Sequence, residues 1–224
     1  MHFVIEVVSD TVCPWCYIGS RQLTRAISEY KRLHPERNDT FSVSWKPFYL
    51  NPNAQQGVSA DKRASYVKRH GEAGAEAIFD RIAKAGQAPG VGINFKFGGR
   101  TGSSRDSHCL IHHAGLKSSD VQTRLVNALF RAYFEEEKDI SQQETLLEAA
   151  QRAGVDEIDA RMWLTDQAEG TKVDLQAAYA REKAINGVPH FTLNGRFEIT
   201  GAQESLAFVR LFERLVKLEE RAKV

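Results

Sequence analysis

Cys13-Pro14-Trp15-Cys16 restricts this chain more than any other feature, because of where it falls. Phe3–Val8, FVIEVV, is a short apolar run rich in β-branched residues and reads as a strand. From about Pro14 to Leu33, Tyr17, Leu23, Ile27 and Tyr30 recur at helical spacing, and His34-Pro35 ends the run. The two cysteines therefore span the start of a helix that leaves a strand. Pro14 suits the first helical turn, where its missing N–H is not needed. Cys13 then faces unpaired N–H groups and the positive end of the helix dipole, a setting that favours the reactive thiolate. Cys16, one turn along, is expected to be the more buried sulfur, within disulfide reach of Cys13.

A Cys-x-x-Cys pair can also be half of a zinc site. The other half is missing: only Cys109 remains, and no second paired Cys/His motif follows. His108 and His112 share a helical face, but Cys109 points about 100° away, so no metal is expected. Three cysteines also do not make a structural disulfide framework. A redox dithiol is the reading that uses both cysteines and their position. Asp10, three residues before Cys13, is either a proton acceptor for Cys16 or a turn-forming cap of the helix.

Phe41–Phe48, FSVSWKPF, alternates in the manner of a strand, so the first fifty residues read β-α-β. The middle is helical: about 59–86, 104–116, 119–137, 142–153 and 158–164. Asp139-Ile140-Ser141 with Glu144 suggests a capping box, and Gly154 a helix-ending C′ residue. The glycine-dense stretch 86–102 matches no phosphate-binding motif; it reads as a long exposed loop with a short strand near 93–97, either a mobile flap or inert. Glu135-Glu136-Glu137 reads as a solvated helix end. The chain then returns to α-β-β-α. A helix over 166–185 precedes Asn186-Gly187-Val188-Pro189. Strands at 190–193 and 196–200 flank the hairpin signal Asn194-Gly195, and a last helix runs over 203–217. Pro189, just inside an apolar run, fits a strand start or an edge.

Charge excludes some partners. With 30 Lys+Arg against 29 Asp+Glu the net charge is +1, and no basic block offers a phosphate track. Nucleic acid is not an expected partner. No apolar run approaches the length of a membrane span, and no signal peptide is visible, so a cytoplasmic setting is expected. Asn38-Asp39-Thr40 is read as a chance sequon.

SDTVCPWCYIG, WKPFYLNP, LFRAYFEEEKDI and GVPHFTLNGRFEITGAQ together resemble the thioredoxin superfamily, and within it the DsbA-like, FrnE-type oxidoreductases. The resemblance implies an α/β thioredoxin fold interrupted by an all-helical insertion: 1–55 and 166–224 as the thioredoxin-like part, 56–165 as the insert. It implies dithiol–disulfide exchange on a disulfide- or thiol-containing protein or small molecule, with Cys13 as nucleophile and Cys16 as resolving cysteine. Pro14 and Trp15 would tune the potential. Val188-Pro189 would be cis and lie against the dithiol, with Val188 pairing to the substrate backbone and His108 on an insert face lining the cleft. No cofactor is required, and glutathione is a plausible thiol partner. Kappa-class glutathione transferases and 2-hydroxychromene-2-carboxylate isomerases are similar too, and typically carry serine at the position of Cys13. A glutathione-dependent isomerase or transferase, and a non-catalytic binding module, are therefore the alternative functions. The segment SRDSHCLIHHAG departs from relatives in having Cys109 after His108, where arginine is more usual. An exposed Cys109 would form mixed disulfides.

Overall fold

In a computed structural model, residues 1–183, 185 and 187–222 are described. The end of the helix expected to reach 185, the Asn186 part of the following turn, and the chain's last two residues involve positions outside that range.

The N-terminal third forms β1 (His2–Ser9), α1 (Pro14–Leu33) and β2 (Thr40–Pro47). The helical middle begins with a two-stranded ribbon, β3 (Ser59–Asp61) with β4 (Arg100–Gly102), enclosing α2 (Lys62–His70) and α3 (Glu72–Gly86). It continues through α4 (Arg105–Lys117), α5 (Ser119–Phe134), α6 (Gln143–Arg152) and α7 (Glu157–Thr165). The chain closes with α8 (Gln167–Glu182), β5 (His190–Leu193), β6 (Phe197–Thr200) and α9 (Ser205–Ala222).

One sheet organises the ends of the chain, in the order β2-β1-β5-β6. β1 runs parallel to β2, with Val7 opposite Trp45, and antiparallel to β5, with Val7 opposite Phe191. Alternation sorts β1 by face. Phe3, Ile5 and Val7 are wholly buried, whereas Val4 is 47% exposed, so the strand is covered fully on one side only. On the covered side Phe3 meets Tyr30 of α1 and Phe212 of α9, at ring separations of 5.6 and 5.1 Å. On the other side Val8 packs with Phe48 and Ala180 of α8. The Asn194-Gly195 hairpin forms with both residues at positive φ, 48° and 67°, in a three-residue connection between Leu193 and Phe197, which pair across the ladder.

The parallel edge strand β2 is closed by a side chain. Trp45 N–H donates to Gln122 Oε1 at 3.0 Å, and Gln122 Nε2 donates to the Trp45 and Ile111 carbonyls at 3.2 and 3.1 Å. A helical glutamine thus satisfies the outward backbone groups of β2 at Trp45 as a neighbouring strand would.

Four local expectations are corrected. Residues 93–97 form no strand: the segment is tied by Ile93 N–H to the Gly86 carbonyl and Lys96 N–H to the Phe134 carbonyl, and it buries Val91, Ile93 and Phe95. It is a packed loop, not an exposed flap. The helix expected over 59–86 is broken by Gly71 at φ 74° and preceded by β3. The capping box does not form: α6 starts at Gln143 with no side-chain cap, and Asp139 instead accepts from the Ser141 hydroxyl at 2.6 Å. Glu135–Glu137 is not a solvated end. Glu135 accepts from the Tyr17 hydroxyl, Glu136 pairs with Arg131 and Arg152, and Glu137 accepts from Gly98 N–H.

Asp39 ties the end of α1 to β2. Its carboxylate accepts from Arg37 Nε and the Tyr30 hydroxyl, both at 2.6 Å. Burial alone would raise its pKa, but the hydrogen bonds from Arg37, the chain's first amine and Tyr30 outweigh that and hold the carboxyl well below the usual range. The stabilisation is therefore complete above about pH 4 and lost as pH falls below it. Asp39→Asn is expected to lower the urea midpoint at pH 7, and the gap to wild type should narrow below pH 4.

Candidate active site

The site is built at the β1–α1 junction. The turn closes through Cys13 N–H donating to the Asp10 carbonyl at 3.0 Å. Cys13 is the N-cap of α1, with extended backbone at φ −94° and ψ 114°, and Pro14 holds the first helical position. The Cys13 carbonyl then accepts from Cys16 and Tyr17 N–H at 3.1 and 3.3 Å. These bonds fix both sulfurs on one turn of helix. Both cysteines are free thiols.

Cys16 is completely buried. Burial first, and then the neighbouring Cys13 sulfur within hydrogen-bonding reach, push its thiol well above the ordinary range; the Asp10 backbone and the Ser9 side chain oppose that with hydrogen bonds. Cys13 faces the opposite strand. Its thiol lies 3.6 Å from the Val188 carbonyl oxygen, and the Val188-Pro189 peptide bond is cis. Gly19 permits the close approach of α1 to this segment: a Cβ there would sit 2.9 Å from Pro189 Cγ and 3.1 Å from Phe191 Cζ.

Asp10 is wholly buried. Its Oδ2 accepts from Leu50 N–H at 2.7 Å, and its Oδ1 lies 3.4 Å from His108 Nε2. Its carboxylate thus serves the turn and the chain after β2. Toward Cys16, Asp10 offers its backbone. His108 is 3% exposed, faces Asp10, and has its Nε2 without a hydrogen bond. It lies behind the turn rather than on an open cleft wall. Thr11 and Ser107 hydroxyls meet beside it at 2.8 Å. Trp15 is half-buried, with the Arg81 guanidinium 5.5 Å from its ring.

His112 and His113 leave the site altogether. His112 Nε2 pairs with Glu169 at 2.9 Å, while His113 stacks on Trp163 at 5.2 Å. Among the described residues no group of three His, Cys, Asp or Glu could hold a metal. Cys109 is buried, which corrects the expectation of an exposed third thiol, and burial pushes its pKa to about 11. Cys13 is no more exposed than Cys109, at 4% each, so its lead in reactivity rests on its place at a helix start. Iodoacetamide is expected to label Cys13 ahead of Cys109 in the reduced protein, and the wholly buried Cys16 only after unfolding, as peptide mapping by mass spectrometry would show.

Sequence reasoning missed the contribution of α2. Tyr66 lies near enough to Cys13 for that sulfur's charge to add to burial in raising its phenol pKa. Lys62, the first residue of α2, is 2% exposed; its ammonium donates to the Tyr133 carbonyl at 2.8 Å and sits 3.8 Å over the Tyr133 ring. Burial lowers its pKa to about 8. This anchor fixes the helix that carries Tyr66. Spacing along α2 gives no hint of it, since the residues touched are seventy positions away.

A βαβ unit carrying a dithiol at the first strand–helix junction, completed by an antiparallel hairpin and a last helix, defines a thioredoxin-fold protein, here with helices inserted before the hairpin. The chain belongs to the DSBA-like thioredoxin domain family, whose model matches residues 4–212. That family comprises oxidoreductases and isomerases of DsbA-like type. Among solved structures it is similar to a probable DsbA oxidoreductase from Streptomyces coelicolor, with 26% identity over 95% of this chain and 89% of that one and a TM-score of 0.82. The cytosolic disulfide reductase DsbM from Pseudomonas aeruginosa aligns at 18% identity over 96% and 99% of the two chains, with a TM-score of 0.60. A 2-hydroxychromene-2-carboxylate isomerase aligns at 14% identity over 98% of each chain, with a TM-score of 0.68. These last two share the fold. No protein of curated function matches the sequence.

Proposed function

We propose that this chain is a thiol–disulfide oxidoreductase acting on protein or small-molecule disulfides, with Cys13 as nucleophile and Cys16 as resolving cysteine. One observation carries the reading: two free sulfurs within mutual reach at a helix start, the outer one 3.6 Å from the carbonyl of the residue before Pro189. Cys13 thiolate attacks one sulfur of the substrate disulfide, and the other sulfur leaves as a thiolate. Cys16 then attacks Cys13 Sγ, releasing the second substrate thiol and closing the internal disulfide. Val188 supplies backbone groups to an extended substrate beside the reacting sulfurs, in the manner of an added strand. Pro14 and Trp15 set the environment of the outer sulfur, and Asp10 holds the turn.

Glutathione is the proposed thiol partner, in the cytoplasm, where its pool would keep the dithiol cycling. The Pseudomonas aeruginosa DsbM structure containing GSH has this fold, at 17% identity. The test is an insulin-reduction assay and a glutathione–disulfide assay on wild type and Cys13→Ser. Wild type is expected to be active in at least one, and Cys13→Ser in neither. Activity surviving in Cys13→Ser would overturn the assignment of the nucleophile. Inactive wild type with tight glutathione binding would favour isomerase or transferase chemistry instead.

A further inference from the structure

A cavity of about 390 Å³ opens beside the Asp10–Cys13 turn. Its inner wall includes Val12, next to Cys13, and Leu50, whose N–H is held by Asp10. Its outer wall is the last turns of α2: Tyr66, Arg69 and His70. The cavity thus runs from Val12, the residue before the reacting sulfur, past Tyr66 to a pair of basic residues, and its volume suits a small molecule.

The charge of the lining has one sign. Arg69 and His70 are its ionisable basic groups, and among the described residues no Asp or Glu lines it. Both are exposed, and neither forms an ion pair with a described carboxylate. Two acids on neighbouring segments are already engaged: Asp106 accepts from Gln56 at 2.6 Å, and Asp139 from Ser141 at 2.6 Å. A guanidinium with its donors unused, facing a polar cavity, matches a carboxylate in charge and geometry.

Resting on the oxidoreductase reading, we infer that the cavity selects anionic, low-molecular-weight disulfides, Arg69 holding a substrate carboxylate while the substrate sulfur meets Cys13. The symmetric disulfide RSSR is the oxidant. Cys13–S–S–R forms as one RS⁻ leaves; attack by Cys16 releases the second RS⁻, and two electrons pass from the dithiol to the substrate. Arg69 takes no part in bond changes and is a specificity residue.

The test uses the full reduced chain in single-turnover oxidation by three disulfides: 3,3′-dithiodipropionate (anionic), 2-hydroxyethyl disulfide (neutral) and cystamine (cationic). Each rate is divided by that of dithiothreitol with the same disulfide, which removes intrinsic reactivity. Wild type is expected to prefer the anionic over the cationic compound by about tenfold or more, the worth of one charge-assisted contact. Arg69→Gln should lower the anionic-to-neutral ratio about tenfold, and Arg69→Glu should reverse the preference. Arg69 is exposed, so neither variant threatens the fold. Wild-type ratios within twofold of one another, or an Arg69→Gln profile equal to wild type, would overturn the inference while leaving the oxidoreductase reading intact. Failure with all three disulfides, the neutral one included, would overturn both.

Discussion

In Cys16→Ala, a mixed disulfide on Cys13 should accumulate to nearly one equivalent, while multiple-turnover exchange falls by roughly two orders of magnitude or more. The reason is access. Once a substrate is attached to Cys13, a second sulfur must attack along the S–S axis. Cys16 is already in hydrogen-bonding reach and fully enclosed, so wild type needs no external thiol. Without it, resolution depends on a diffusing thiol entering past the cis segment at Val188-Pro189, and the effective molarity of the neighbouring sulfur is forfeited. Intact-mass spectrometry after incubation with 2-hydroxyethyl disulfide would show the adduct, and Cys13→Ala in the same experiment should show none. A wild-type rate in Cys16→Ala, without adduct, would mean that the second sulfur does not resolve. The pH dependence has a defined sign. Burial, the largest cause of the raised Cys16 pKa, persists when Cys13 is in the mixed disulfide, so the resolving step in wild type should accelerate with rising pH through the alkaline region.

How much of this was legible beforehand depends on distance along the chain. The strand–dithiol–helix junction was readable because all its causes are local: β-branched residues, a proline suited to the first helical turn, and apolar positions at helical spacing. The Asn194-Gly195 hairpin and the Gly154 helix end, at φ 83°, were readable for the same reason. Most of the misreadings come from partners far away. Nothing within 93–97 tells an extended segment without a strand partner from a strand, since that depends on Lys96 reaching the Phe134 carbonyl. Three consecutive glutamates look solvated until Tyr17, Arg152 and Gly98 are brought to them. Asp139 had a nearer use for its carboxylate, a turn with Ser141, and this displaced the capping box. The cavity wall beside the turn was invisible because Tyr66 and Arg69 come to line the same space as Val12 only after the α2–α3 hairpin folds back. His108, expected on a face lining the cleft, instead faces buried Asp10.

Phe130→Ala is expected to destabilise the protein by about 3–5 kcal/mol, the range for truncating a fully buried aromatic residue. Phe130 belongs to α5 in the helical middle, and it has no exposed surface. Its ring stacks on Tyr17 of α1 at 5.0 Å and meets Trp45 of β2 edge-on at 6.4 Å. Tyr17 follows Cys16 directly, so the same ring supports the helix that carries the dithiol. Beyond area, such aromatic pairs contribute about 0.5–1.5 kcal/mol each, and the void left by alanine has rigid walls on both sides. Buried residues of α1, the sheet and α4–α7 join one continuous apolar cluster, so the helical middle and the sheet share a core. Unfolding in urea should therefore be a single transition, with tryptophan fluorescence and far-ultraviolet circular dichroism coinciding in wild type and, at a lower midpoint, in Phe130→Ala. Exchange activity below the transition should drop as well, because loosening Tyr17 releases the helix turn that aligns the two sulfurs. A midpoint shift worth less than about 1 kcal/mol, or two separated transitions in wild type, would mean that the helices and the sheet fold as independent units and that the aromatic bridge between them carries little of the stability.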